Sequence, residues 1–320
     1  MKVHLATSWR EACMRGAEAK QWQSCSMTSA AALRHVAPAT SFFGANFDRL
    51  AEDFCQAGYQ KLMIISDFDQ TLTRYVGCDG RPGDQCHQIV MQHLDTTLLP
   101  EVGAIFRDLN AWDRLTEAQR MEKCNQDPEQ RAAATRSWFK SFHDVSSQHQ
   151  LSQFASQCLL KSNVRTRQNL SATFDWIKKW NVPLFLISAG IRELLVPILR
   201  TSTAELPSTA RLVANSLDED VSITSRDKAD ALTKIPDFSG LAAGKTHALL
   251  LGDKPSDCAP LRGLPPEIVV LKVAFLHEPS KAVLAEYSQH FDVLLTGDPS
   301  MDFVNALLDL LSGQGVSPRL

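Results

Sequence analysis

Short apolar runs, each closed by a polar residue, constrain this chain more than any other feature. Residues 62–65 are followed at once by Ser66 and Asp67, with Asp69 two positions on. The run 182–188, VPLFLIS, closes on Ser188, and 247–253, HALLLGD, closes on Asp253 with Asp257 four residues later. Residues 210–215, 221–225, 267–275 and 291–297 read as further strands. Amphipathic helical patterns at 46–57, 170–180, 280–289 and 299–312 alternate with them. Strands that are apolar on both faces are buried on both faces, and strand–helix alternation gives a parallel sheet covered by helices. The expected fold is α/β, a Rossmann-like mostly parallel sheet with helices on both faces.

The alternation is interrupted once. After the first carboxylates comes GCDGRPGD, residues 77–84, a glycine- and proline-rich loop. From residue 88 to 180 the pattern is largely helical. The expected organisation is an α/β core over 46–78 and 166–320, an inserted helical cap domain over 79–165, and a loosely ordered N-terminal extension over 1–45.

Composition narrows the class. The 320 residues suffice for a sizeable core, and a net charge of −3 gives no reason to expect a nucleic-acid or membrane-surface partner. No apolar stretch has the length of a membrane span. The eight cysteines include no C-x-x-C pair, which argues against a zinc framework and for reduced thiols in a cytosol-like compartment. Acidic residues among the first thirty positions count against a transit peptide, so a cytoplasmic protein is expected. A monomer is favoured.

In open parallel sheets, ligands bind at the carboxyl ends of the strands, where Asp67, Asp69, Ser188 and Asp253 would converge. So many carboxylates repel unless a cation lies between them. Oxygen ligands without histidine or cysteine suit magnesium, which also binds phosphate. One carboxylate can then attack a phosphoryl group, and a second can protonate the leaving oxygen and later activate water.

D-x-D-x-T after one strand, Ser after a second and G-D-x-x-x-D after a third resemble the haloacid-dehalogenase superfamily of phosphatases. IISDFDQTLTRY, FLISAGI and LLLGDKPSDCAPLRG are similar to the type III cytosolic 5′-nucleotidases, also called pyrimidine 5′-nucleotidases, with weaker echoes in WFKSFH (138–143) and RPGDQCHQIV (81–90). The resemblance implies hydrolysis of nucleoside 5′-monophosphates, pyrimidine ones foremost, through an aspartyl phosphate, with Mg2+ as cofactor. It makes Asp67 the nucleophile and Asp69 the general acid/base, with its backbone carbonyl on the metal. Thr71 and Ser188 would bind phosphate, and Ala189 and Gly190 would open a helix whose amides favour it. Asp253 would complete the metal site, with Asp257 supporting through water or as a further ligand. The phosphate-anchoring lysine falls on Lys228, ahead of Lys234, Lys245 and Arg226. In the cap, Glu129 would bind the nucleobase edge, with Trp138 and His143 beside it. Lys254 and Pro255 stand where the family has small polar residues, and Arg192 where it has glycine. The alternatives are another small phosphomonoester, such as a methylated purine nucleotide or phosphoserine, and a catalytically silent nucleotide-binding scaffold.

Overall fold

The computed structural model describes residues 28–95, 99–113, 115, 117–201, 205–219, 223–224 and 228–313. Seven strands form one sheet: β1 (Phe42–Phe43), β2 (Leu62–Ser66), β3 (Leu184–Ile191), β4 (Ala210–Asn215), β5 (His247–Gly252), β6 (Val269–Phe275) and β7 (Val293–Leu295). Their order is β1-β7-β6-β5-β2-β3-β4, and only the β1–β7 pairing is antiparallel. β2 and β5 are buried along their whole length, as their unbroken apolar composition requires. β2 sits between β3 and β5, so the three polar strand ends adjoin one another.

One layer of the core is built around α1 (Ser29–Val36), α2 (Phe47–Ala57), α8 (Leu170–Trp180) and α12 (Asp302–Leu311). A second apolar cluster, with Ile235, Leu232 and Phe291, covers the opposite side of the sheet. The expectation of a loose extension is revised for residues 28–45. Thr28 caps α1, whose Ala30 and Leu33 are buried, and β1 extends the sheet beyond β7. Residues 1–27 lie outside the described residues, as do most positions of the strand expected at 221–225. Ile223 and Thr224 are described and lie in no strand.

The helical insertion leaves the core after β2 and returns before α8. It contains α3 (Cys86–His93), α4 (Pro100–Asp113), α5 (Glu117–Lys123), α6 (Pro128–Gln148) and α7 (Ala155–Lys161), the remaining core helices being α9 (Arg192–Thr201), α10 (Phe238–Leu241) and α11 (Lys281–Tyr287). Its interior is aromatic and continuous with the core on that side of the sheet. Phe106 stacks on Phe142 at 5.7 Å, Trp138 on Phe142 at 6.0 Å, and His87 packs edge-on to Phe142 at 4.7 Å. The outgoing and returning segments run side by side. Arg74 N–H donates to Arg165 O (2.9 Å), Arg167 N–H donates to Leu72 O (2.8 Å), and Thr73 bridges Thr166 in antiparallel fashion. Among the described residues no helix is long and apolar enough to cross a membrane.

Candidate active site

Each site carboxylate stands where a buried strand ends. Asp67 follows β2 and is tied to the sheet through its backbone N–H to Leu251 O (3.0 Å). Asp253 follows β5. Asp257 turns back beneath that strand, accepting the backbone N–H of Asp253 and of Lys254 on Oδ2, both at 2.9 Å. A Cβ on Gly252 would lie 2.7 Å from Asp257 Oδ2, so only glycine lets this carboxylate tuck in. That is the physical content of the G-D-x-x-x-D spacing.

Lys228 binds the cluster together. Its Nζ donates to Asp67 Oδ1 at 2.6 Å and to Asp257 Oδ1 at 2.8 Å. All three side chains are buried. Burial works against the lysine's charge, but Asp257 and Asp67 outweigh it and hold the ammonium above its ordinary range. Asp257 shows the same balance: burial disfavours the carboxylate, yet Lys228 keeps it below its usual value. Burial dominates at Asp67 and Asp253, which are both pushed up, Asp253 the further. Lys254 is held up by the charge of Asp253, whose Oδ2 lies 3.3 Å from its Nζ.

Asp69 faces the insertion. Its Oδ1 accepts the Cys86 backbone N–H at 3.2 Å and the Cys86 thiol at 3.3 Å, both at the start of α3. Burial, then the neighbouring charge of Asp67, pushes its carboxyl up to about 6, against the Cys86 hydrogen bonds. This is a group able to give and take a proton near neutral pH.

A cation fits the cluster. Asp67, Asp253 and Asp257 bring carboxylate oxygens within 4.8 Å of one another. Asp253 Oδ1 is buried and has no hydrogen-bond partner. Fully ionised, the carboxylates of Asp67, Asp69, Asp253 and Asp257 exceed the ammoniums of Lys228 and Lys254 by two charges, the deficit a divalent ion fills. The oxygen-only donor set suits a hard ion. Asp257 already accepts from Lys228 and two amides, which leaves Asp67 and Asp253 best placed as direct ligands.

These residues line a cleft of about 640 Å³ between core and insertion, with Ser188, Ala189 and Gly190 of β3 on one side and His87, Trp112, Trp138 and Phe139 on the other. Ser188 Oγ accepts the Gly190 N–H at 2.9 Å. The expected helix opening at Ala189–Gly190 is corrected: β3 continues to Ile191 and α9 starts at Arg192. A Cβ on Gly190 would come within 3.0 Å of Cys86 Sγ, so glycine there admits the insertion against the strand. Thr71 is fully buried, its hydroxyl unpartnered, outside the cleft lining.

The three cap candidates separate. Trp138 reaches the cleft wall, its indole N–H donating to Leu109 O at 2.9 Å. His143 is buried behind the wall, with Nδ1 2.8 Å from Ser216 O. Glu129 is exposed in the first turn of α6 and takes no part in the cleft, so the structure corrects its expected place at the base. An acidic residue after Asp127 and Pro128 is what a helix N-terminus itself favours. Lys234 and Lys245 also lie outside the cleft, and Arg226 is outside the described residues. Sequence reasoning missed His87, whose Nε2 is buried without a partner in the cleft wall, and Cys86. Both lie in the quoted RPGDQCHQIV segment, but only the fold shows that they face Asp69 and the cleft.

The family model for pyrimidine 5′-nucleotidase (UMPH-1) matches residues 70–312. The chain belongs to this family. Among curated relatives, the 7-methylguanosine phosphate-specific 5′-nucleotidase of Gallus gallus is 28% identical, over 79% of this chain and 89% of the relative. The Homo sapiens protein of that name is 25% identical over 82% and 88%. A crystal structure of cytosolic 5′-nucleotidase IIIB bound to cytidine superposes with a TM-score of 0.70 at 20% identity, covering 88% of this chain and 96% of that one. The likeness in fold to that structure thus extends over 88% of the chain, with the carboxylate cluster at the strand ends.

Proposed function

We propose that this protein hydrolyses nucleoside 5′-monophosphates, pyrimidine nucleotides foremost, with Mg2+ held by Asp67, Asp253 and the backbone carbonyl of Asp69. The observation that carries the reading is the buried Asp67–Lys228–Asp257 triad beside Asp253, at the floor of a cleft with an aromatic wall. Bound Mg2+ would neutralise phosphate oxygens and orient the phosphoryl group for attack.

Asp67 Oδ attacks phosphorus, the bond to the nucleoside 5′-oxygen breaks, and the Asp69 carboxyl gives its proton to that oxygen. Water then attacks the aspartyl phosphate, Asp69 takes up its proton, and inorganic phosphate leaves with Asp67 regenerated. Lys228 holds Asp67 in place and offers positive charge to the phosphoryl oxygens as charge spreads over them. Ser188 and the β3 end supply further donors. The insertion excludes water over the cleft, and Trp112, Trp138 and Phe139 offer faces for a nucleobase. Inserted between β2 and β3, residues 79–165 thus act as a cap.

Phosphate release from a panel of monophosphates tests this: CMP, UMP, GMP, 7-methyl-GMP and phosphoserine, each with Mg2+ and with a chelator. Nucleoside monophosphates should be turned over at least about tenfold more efficiently than phosphoserine, a difference of about 1.4 kcal/mol, and turnover should stop on chelation. Preference for phosphoserine, or no turnover of any ester, would overturn the reading. The 7-methylguanosine arm is included because the curated relatives carry that specificity in their names.

A further inference from the structure

The loop that carries Asp69 is not held by the sheet. Beyond Phe68 the chain turns sharply: the N–H groups of Thr71, Leu72 and Thr73 all converge on Phe68 O, at 3.2, 2.8 and 3.2 Å. Gln70 is forced into the left-handed region at φ 61°, where a side chain is unfavourable. The carbonyls of Gln70 and Thr71 consequently point away from any ladder or helix, and such groups need partners when buried.

Both find them in one side chain. Arg167, 2% exposed, donates from Nη2 to Gln70 O at 2.5 Å and from Nε to Thr71 O at 2.7 Å. Its Nη1 donates to Asp298 Oδ1 at 2.9 Å and to Pro299 O at 2.7 Å, and its guanidinium lies 4.3 Å from the Phe275 ring centroid. Asp298, after β7, is itself fixed. It accepts Tyr75 N–H at 2.9 Å, Val76 N–H at 3.0 Å and Arg74 Nε at 3.0 Å. Arg167 therefore stands on a rigid anchor and reaches across to the catalytic loop. It belongs to the segment returning from the insertion, so one residue joins the base of the cap, the loop and the far side of the sheet. The planar fork of arginine can satisfy two carbonyls and a carboxylate together, and a lysine ammonium cannot match that geometry.

We propose that Arg167 is a positioning residue for the reaction, holding the Gln70–Thr71 backbone so that the Asp69 carboxyl stands where it can protonate the leaving oxygen. Arg167 lines no part of the cleft, so it acts only through the loop. The proposal rests on the assignment of proton transfer to Asp69 made above.

The test is a comparison of leaving groups in Arg167→Lys. A nucleoside leaves as an alkoxide and needs a proton, whereas p-nitrophenolate leaves without one. Under the proposal, kcat/KM for the nucleotide falls by about 10²-fold, kcat/KM for p-nitrophenyl phosphate stays nearly unchanged, and circular dichroism shows the fold retained. Equal losses on both esters would mean a merely structural role and would overturn the proposal, as would no loss on either. Should Arg167→Lys fail to fold, Asp298→Asn keeps the guanidinium but weakens its anchor, and the same unequal loss, smaller in size, is expected. Wild-type inactivity toward every nucleotide would instead overturn the functional reading, so the two failures are distinguishable.

Discussion

Replacing Asp67 with asparagine is expected to lower kcat for nucleoside monophosphates by at least about 10⁴-fold, the scale seen when a covalent nucleophile is removed. The amide has nearly the shape of the carboxylate, and its carbonyl oxygen can still accept the Lys228 hydrogen bond that Asp67 Oδ1 accepts at 2.6 Å. Packing around β2 should survive. What is lost is the anionic oxygen that forms the bond to phosphorus, and one of the charges that hold the cation. Phosphate release measures the first loss. Rapid acid quenching of enzyme with labelled substrate gives a direct check: wild-type protein should carry acid-stable, hydroxylamine-labile phosphate, and Asp67→Asn none. Turnover within tenfold of wild type would mean that another group attacks.

Lys228→Met should be nearly as damaging for a different reason. Lys228 is the buried cation between Asp67 and Asp257, at 2.6 and 2.8 Å. Methionine fills the space but leaves two carboxylates facing each other with only the Lys254 ammonium to offset them. Removing one partner of a buried ion pair costs about 3–5 kcal/mol, so thermal unfolding should move down by several degrees. Added Mg2+ should restore part of the loss, because it supplies positive charge to the same group of carboxylates. The catalytic loss should be about 10²–10³-fold in kcat, the range for removing one preorganised stabilising group. Undiminished turnover would assign the phosphate-anchoring charge to Lys254, which also lines the cleft.

The strand ends were legible because a buried parallel strand needs an unbroken apolar run, and a carboxylate closing such a run is conspicuous. Gly252 made the Asp253–Asp257 spacing more informative still, since the tucked carboxylate leaves no room for a Cβ. Lys228 could be reached only through its surrounding segment, and its distance from Asp67 along the chain hides the pairing. Glu129 shows the opposite difficulty. The preference of a helix N-terminus for acidic residues puts the same residue type at that position whatever the function. Arg167 and Asp298 were invisible for a third reason. Each serves partners more than 90 positions away, and a lone arginine before a helix carries no pattern. The core helix α1 was missed because its short stretch has only Ala30 and Leu33 facing inward.

The central claim is that carboxylates from separate segments gather around one hard cation. Crystals of the protein grown with Mn2+, an anomalous scatterer that takes magnesium-type oxygen sites, test it most directly. One strong anomalous peak is expected in coordinating range of Asp67 and Asp253, and its loss in Asp253→Asn. A peak elsewhere, or none near these two residues while the enzyme turns over substrate in the same Mn2+ solution, would contradict it.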